Sequence, residues 1–301
     1  MGVEHYLPNH RPTVCDVFKA AAQDTWARVG FSRSTKGMKC HETALTQNLV
    51  YEMRLLKDKH NHLEYDLFES TNEKANGNDL LFRILHDNGT VYTYAIQAKI
   101  IYHTITTKKK LKLNDGWYIQ LKHTVSKGKP HAEPQVDKLL RFSADKGYIP
   151  MYLLYNYVDK DYSGTINPSH GCTVAGAQFI KDNYTDPIDK DLRNDVKFTD
   201  LHTAFAFPWE DLVCTLPFYE KTGFLDKVGL PHDYTLKESD ISELIPGKAW
   251  TNLTQTSKVQ ERLSPRGRVR GKNTELEGGG YDDDFNPKYL ITLRQGRREE
   301  H

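Results

Sequence analysis

Residues 79–99 read DLLFRILHDNGTVYTYAIQAK, and the fold turns on how this stretch is folded back on itself. Asp79 to His86 is a short apolar run that reads as a strand, Asp87-Asn88-Gly89 is a hairpin turn signal, and Val91 to His103 is a second, longer strand. On the second strand Tyr92, Tyr94, Ile96, Ala98 and Ile100 share one face, and Thr93, Ala95, Gln97 and Lys99 share the other. The hairpin then makes a sharp demand. A two-residue loop at Asn88-Gly89 sets Asp79 opposite Ala98, so Asp79 and Gln97 point to opposite faces. A three-residue loop with glycine in the left-handed position, or a bulge near Asp79, sets Asp79 across from Gln97 on one face. In that register an acid, an amide and a lysine converge on two neighbouring strands. This residue set suits a divalent cation held against a phosphodiester.

Outward from the hairpin the chain alternates between helical and extended patterns. Thr13 to Val29 reads as a helix capped by Thr13 with Asp16 three residues on, followed by a loop from Gly30 to Cys40. A second helix starts near Glu42 and runs to about Lys59, with Leu45, Leu49, Met53 and Leu56 on its apolar row. Glu42 extends that row backwards, so its carboxylate faces the sheet. Its partner is then either the helix's own free N–H groups or a cation. Leu63, Tyr65 and Leu67 alternate as a strand, Gln135 to Lys146 is a helix stopped by Gly147, with Pro134 at its first position, and Ile149 to Tyr157 is a buried strand. From Glu42 onward the order is helix, three strands, helix, strand, which is an α/β sandwich with a mixed sheet. Val174 to Asn183 reads as a helix and Ala204 to Leu212 as a core-packing strand or loop. Past about Thr215 the periodicity weakens, which divides the chain into a main domain, 1–214, and an appendage with basic segments, 215–301.

Composition narrows the classes. The 301 residues suffice for a full core, and a formal net charge of +1 gives a nucleic-acid ligand no help from overall charge. Local basic runs, Lys108-Lys109-Lys110 and the set Arg266, Arg268 and Arg270, are the candidate nucleic-acid contacts, against the ordinary reading of solvated surface. No apolar run approaches the roughly 20 residues of a membrane helix, and Met1 to Pro12 lacks a signal-peptide core. The four cysteines, Cys15, Cys40, Cys172 and Cys214, form no CxxC pair and fit no usual zinc framework; reduced thiols and a cytoplasmic location are the expectation.

Asp79 followed by Gln97-Ala98-Lys99, after a helix that begins with a glutamate, resembles the PD-(D/E)xK nuclease superfamily in its QxK form. The similarity is closest to an uncharacterised bacterial nuclease-like family associated with phage defence. It rests on Gly77-Asn78-Asp79, Ile96-Gln97-Ala98-Lys99, Gln135 and the stretch from Pro150 through Tyr155-Asn156. It covers the first half well and weakens through Trp209 and Cys214. The resemblance implies a restriction-endonuclease-like αβββαβ core and a Mg2+- or Mn2+-dependent nuclease, acting on DNA more readily than RNA, as a homodimer or with a defence-system partner. It implies Asp79 as central metal ligand, with Glu42, the Gln97 amide oxygen and the Ala98 carbonyl beside it, Lys99 as orienter of the attacking water, and Gln135 as a positioning group; Glu73 is a reserve ligand. Gln97 stands where the superfamily commonly has an acid, so the alternative is a nuclease fold that binds nucleic acid or protein without catalysis.

Overall fold

The computed structural model describes residues 2–35, 38–71, 76–85, 89, 91–103, 116–118, 121, 124–125, 133–159, 166–185, 196–202, 204–214, 230, 234, 250–254, 285 and 287–294. The principal elements, in chain order, are α1 (Val14–Ser34), α2 (Glu42–Lys59), β1 (Tyr65–Ser70), β2 (Asn76–Leu85), β3 (Val91–Ile100), α3 (Gln135–Lys146), β4 (Ile149–Tyr155), β5 (Cys172–Gly176), α4 (Ala177–Ile180), α5 (Phe198–Leu201), β6 (Phe207–Pro208), α6 (Asp211–Cys214), β7 (Trp250–Asn252) and β8 (Pro287–Arg294). The eight strands form one mixed sheet in the order β6-β5-β4-β3-β2-β8-β1-β7. The β3–β4 and β2–β8 pairs are parallel and the other pairs antiparallel. The chain is an α/β protein built on a large mixed central sheet.

Helices pack on both faces of this sheet. On one face Phe18 of α1 meets Phe82 edge-on at 6.0 Å and Trp209 at 4.4 Å, while Thr46 of α2 shares a 2.8 Å hydrogen bond with the Tyr155 hydroxyl of β4. Trp209 is fully buried and donates its indole N–H to the Phe18 carbonyl at 2.8 Å, so an apolar contact and a satisfied polar atom fix α1 together. α3 covers the opposite face, where Lys99 reaches Gln135. β3 is therefore buried on both sides, which is why it reads as a nearly unbroken apolar run with Gln97 and Lys99 as its exceptions.

Local signals account for most element ends. Thr13 caps α1 by a reciprocal capping box with Asp16, and Gly147 ends α3 in the left-handed conformation, φ 67°. Three expectations are corrected. α1 continues through Gly30 to Ser34; a Cβ at Gly30 would lie 2.5 Å from the Tyr157 ring, so this glycine serves close packing and not a helix stop. Pro134 is the N-cap of α3, one position before the first helical turn. Residues 172–176 are a strand, with every side chain buried, and only Ala177–Ile180 is α-helical, followed by one wider turn, Lys181–Thr185. A short apolar run is ambiguous between helix and strand, and here pairing with β4 decides it.

Two corrections concern the whole chain. The region after residue 214 is not simply an appendage: β8 lies inside the sheet between β2 and β1, with Leu290 and Ile291 fully buried, and β7 forms the edge beyond β1. Eight residues with no periodic neighbours cannot announce that position; it depends on a long-range parallel pairing with β2. Cys15 and Cys214 are joined as a disulfide, Cα to Cα 5.4 Å, which overturns the expectation of four reduced thiols; Cys40 and Cys172 remain free. The two cysteines are 199 residues apart, and only the packing of α6 on the start of α1 brings them together. No described helix is long and apolar enough to cross a membrane.

Candidate metal and phosphodiester site

The site forms where β2 peels away from β3. The two strands pair from Leu85↔Val91 back to Asp79↔Gln97, the register of a three-residue loop, and Gly89 takes the left-handed φ of 83°. At the same point β2 slips against β8: Asn76 pairs with Pro287 but Leu80 with Tyr289, so β2 carries the extra residues of a bulge. The loop register alone sets Asp79 beside Gln97, because the β2–β3 ladder is unbroken and the bulge lies on the β8 side of β2. The two side chains lie on one face, and the Gln97 amide N–H donates to Asp79 Oδ1 at 2.9 Å.

Past that fork β3 loses its neighbour on the β2 side. Ile101 donates its N–H toward β4, to the Tyr155 carbonyl, so by alternation the N–H of Ile100 points toward the open side. The Glu42 carboxylate fills it: Glu42 Oε1 accepts from the Ile100 N–H at 3.1 Å. The buried-side acid at the start of α2 therefore docks onto the sheet edge. Glu42 comes from the face covered by α2 and Gln135 from the face covered by α3, and both reach the end of β3 because the sheet is open there. Lys99, two residues beyond Gln97 on the same face, donates to Gln135 Oε1 at 2.6 Å. Ala98 turns its methyl to the other face and offers the site only its backbone carbonyl.

The set is almost wholly enclosed: Asp79 and Gln97 are each 1% exposed, Lys99 3% and Glu42 6%. Burial raises the Glu42 carboxyl above its ordinary value, opposed by the Lys99 ammonium, then the Ile100 N–H, then His41. Burial likewise lowers Lys99, opposed by the charges of Glu42 and Asp79. Each shift favours the uncharged form, and the two groups restrain one another through their mutual attraction.

The donor set is all oxygen: two carboxylates, an amide oxygen and a backbone carbonyl. Gln97 Oε1 is buried and has no hydrogen-bond partner among the described residues. A hard cation of the magnesium type fits such a set. Among the described residues no three His, Cys, Asp or Glu side chains gather closely enough to hold a metal, so a cation here would depend on Gln97 and the backbone as well as on Asp79 and Glu42.

The structure thus brings together Glu42, Asp79, Gln97, Ala98, Lys99 and Gln135. Glu73, Lys108, Lys109, Lys110, Arg266, Arg268 and Arg270 lie outside the described residues. Sequence reasoning missed Tyr152 of β4, which pairs directly with Gln97 and is fully buried. Its signal was a hydroxyl inside the apolar run IPMYLLY, visible only once the β3–β4 register is known.

No curated protein and no solved structure matches the chain. Residues 14–270, which include every described residue of the site, match the model of a family described as a family of unknown function, DUF6615. The chain belongs to that family.

Proposed function

We propose that this protein is a divalent-metal-dependent nuclease that hydrolyses phosphodiester bonds, DNA in preference to RNA. The observation that carries the reading is the side-by-side placement of Asp79 and Gln97 at a strand fork, with Lys99 on the same face and Glu42 entering from the other side. The order of elements and the QxK spacing, which resemble the PD-(D/E)xK superfamily, support it.

Asp79, Glu42, Gln97 Oε1 and the Ala98 carbonyl would hold Mg2+ or Mn2+, and the bound cation supplies Lewis-acid polarisation of the phosphodiester. Lys99 orients the attacking water. Its burial eases loss of its own proton, so the amine can accept one from that water, and the ammonium then faces the negative charge developing on phosphate. Gln135 fixes the Lys99 side chain through its 2.6 Å hydrogen bond. Enclosure of all four groups excludes bulk water and strengthens each of these interactions. The resemblance supports a bacterial role in defence against foreign DNA, as a homodimer or with a partner protein.

The test is cleavage of plasmid DNA by the purified chain in Mg2+ and in Mn2+. Asp79→Ala and Lys99→Ala are expected to lower the rate by about a hundredfold or more with the fold intact. Absence of cleavage by folded wild-type protein in either metal overturns the reading. A second reading, a nuclease fold that binds without cutting, is favoured by the neutral Gln97 amide tied to Asp79. Calorimetric titration with Mg2+ separates the two, because only the nuclease requires heat of binding that is lost in Asp79→Ala.

A further inference from the structure

We propose that Tyr152 belongs to the substrate-binding set of this site and donates its phenol O–H to a non-bridging oxygen of the phosphate being attacked. The inference rests on the nuclease reading and adds to it a residue and a place for the phosphate. Tyr152 pairs with Gln97 across β3 and β4, so its side chain leaves the sheet on the face that carries Asp79, Gln97 and Lys99. It is fully buried, and its hydroxyl has no hydrogen-bond partner among the described residues. Burial first, and then the charges of Asp79, Asp137 and Glu42, hold the hydroxyl protonated and therefore a donor. A buried unpaired hydroxyl is costly, and a ligand oxygen that accepts its hydrogen bond removes that cost.

The polar groups around it sort by hydrogen-bonding sense. Asp79, Glu42 and Gln97 Oε1 are acceptors, suited to a cation. Lys99 and Tyr152 are donors; Lys99 reaches Gln135 in the first turn of α3, and α3 packs on β4, which carries Tyr152. That turn has no side-chain cap bond from Pro134, and its one acid, Asp137, is neutralised by Lys181 at 2.6 Å. The start of this 12-residue helix thus presents its positive end beside two donors. A phosphate oxygen satisfies the Tyr152 hydroxyl and the helix start together, with the cation on the acceptor side.

The test uses the full chain and its Tyr152→Phe variant, which keeps the ring. Calorimetry is run first with Mg2+ alone, then with inorganic phosphate, both on metal-free and on Mg2+-loaded protein. Tyr152→Phe is expected to leave Mg2+ affinity within about twofold, to weaken phosphate about tenfold, and to melt no lower than wild type. Phosphate binding equal in the two proteins overturns the proposal, as does failure of the wild type to bind phosphate in either condition. Plasmid cleavage is measured alongside. Cleavage with unchanged phosphate binding in Tyr152→Phe sinks this proposal and spares the nuclease. Tyr152-dependent phosphate binding with no cleavage does the reverse.

Discussion

Gln97 is the residue on which the chemistry balances. Its amide lets two neighbouring strands place an Asp and a second oxygen donor in direct contact without a buried like-charge pair, since its N–H donates to Asp79. Gln97→Glu removes that donor and sets two carboxylates together in an enclosed site. Without metal the variant is expected to lose about 2 kcal/mol or more of stability. Mg2+ should restore it if the site binds cations, and thermal melts in EDTA and in Mg2+ check this. Glu210 gives a second residue-scale prediction. Only 6% exposed and with Oε2 unpartnered among the described residues, its carboxyl is raised from 4.5 to about 7 by burial. A raised carboxyl keeps its proton longer in the folded state than in the unfolded one. The folded state therefore loses stability as pH climbs from about 4.5 through about 7, by about 3 kcal/mol in all. Glu210→Gln should flatten that slope in urea titrations at several pH values; an unchanged slope would assign it to other groups.

At the scale of elements, the sequence signals that proved reliable are those that act locally. The Thr13–Asp16 capping box, the apolar row from Glu42 to Leu56 and the left-handed Gly147 each place an element end from nearby residues. The misread elements are those whose state depends on distant contacts. Gly30 sits inside α1 with the Tyr157 ring where a Cβ would be, and residues 172–176 extend because β4 offers a ladder. Gly171 shows the same dependence at its most demanding. A Cβ there would fall 1.9 Å from the Ala22 carbonyl oxygen, so the turn at Pro168–Gly171 can approach α1 only with glycine. Gly171→Ala is expected to cost about 3 kcal/mol or more, read as a lowered midpoint in denaturant with unchanged slope.

For the molecule as a whole, the two long-range closures matter most. β8 sits between β2 and β1 and buries Leu290, Ile291 and Leu293, so a chain ending before residue 287 would leave two strands without a shared neighbour and expose the sheet interior. Such a truncation is expected to be insoluble or to lack a cooperative melt, whereas a dispensable appendage would come away cleanly. The Cys15–Cys214 bond closes a loop of 199 residues and ties the start of α1 to α6. By chain entropy such a closure stabilises by at most about 5 kcal/mol, and the contact of Phe18 of α1 with Trp209, just before α6, persists without it. Reduction, or Cys15→Ser, should therefore lower the melting temperature while leaving a folded protein, as followed by near-UV circular dichroism.

The sequence by itself determined the hairpin, the two flanking helices and the faces of β3, each through alternation, helical spacing or turn chemistry acting over a few neighbouring positions, while the roles of Glu42, Asp79, Gln97, Ala98, Lys99 and Gln135 rested on the resemblance. It stated the register as a condition, that Asp79 must oppose Gln97, and the structure met the condition through the three-residue loop register. Only the tertiary structure decided that β8 enters the sheet, that Cys15 meets Cys214, that Glu42 reaches the site by capping the N–H of Ile100, and that Tyr152 stands beside Gln97. Those four depend on which distant backbone groups find partners, and composition and periodicity carry no record of that choice.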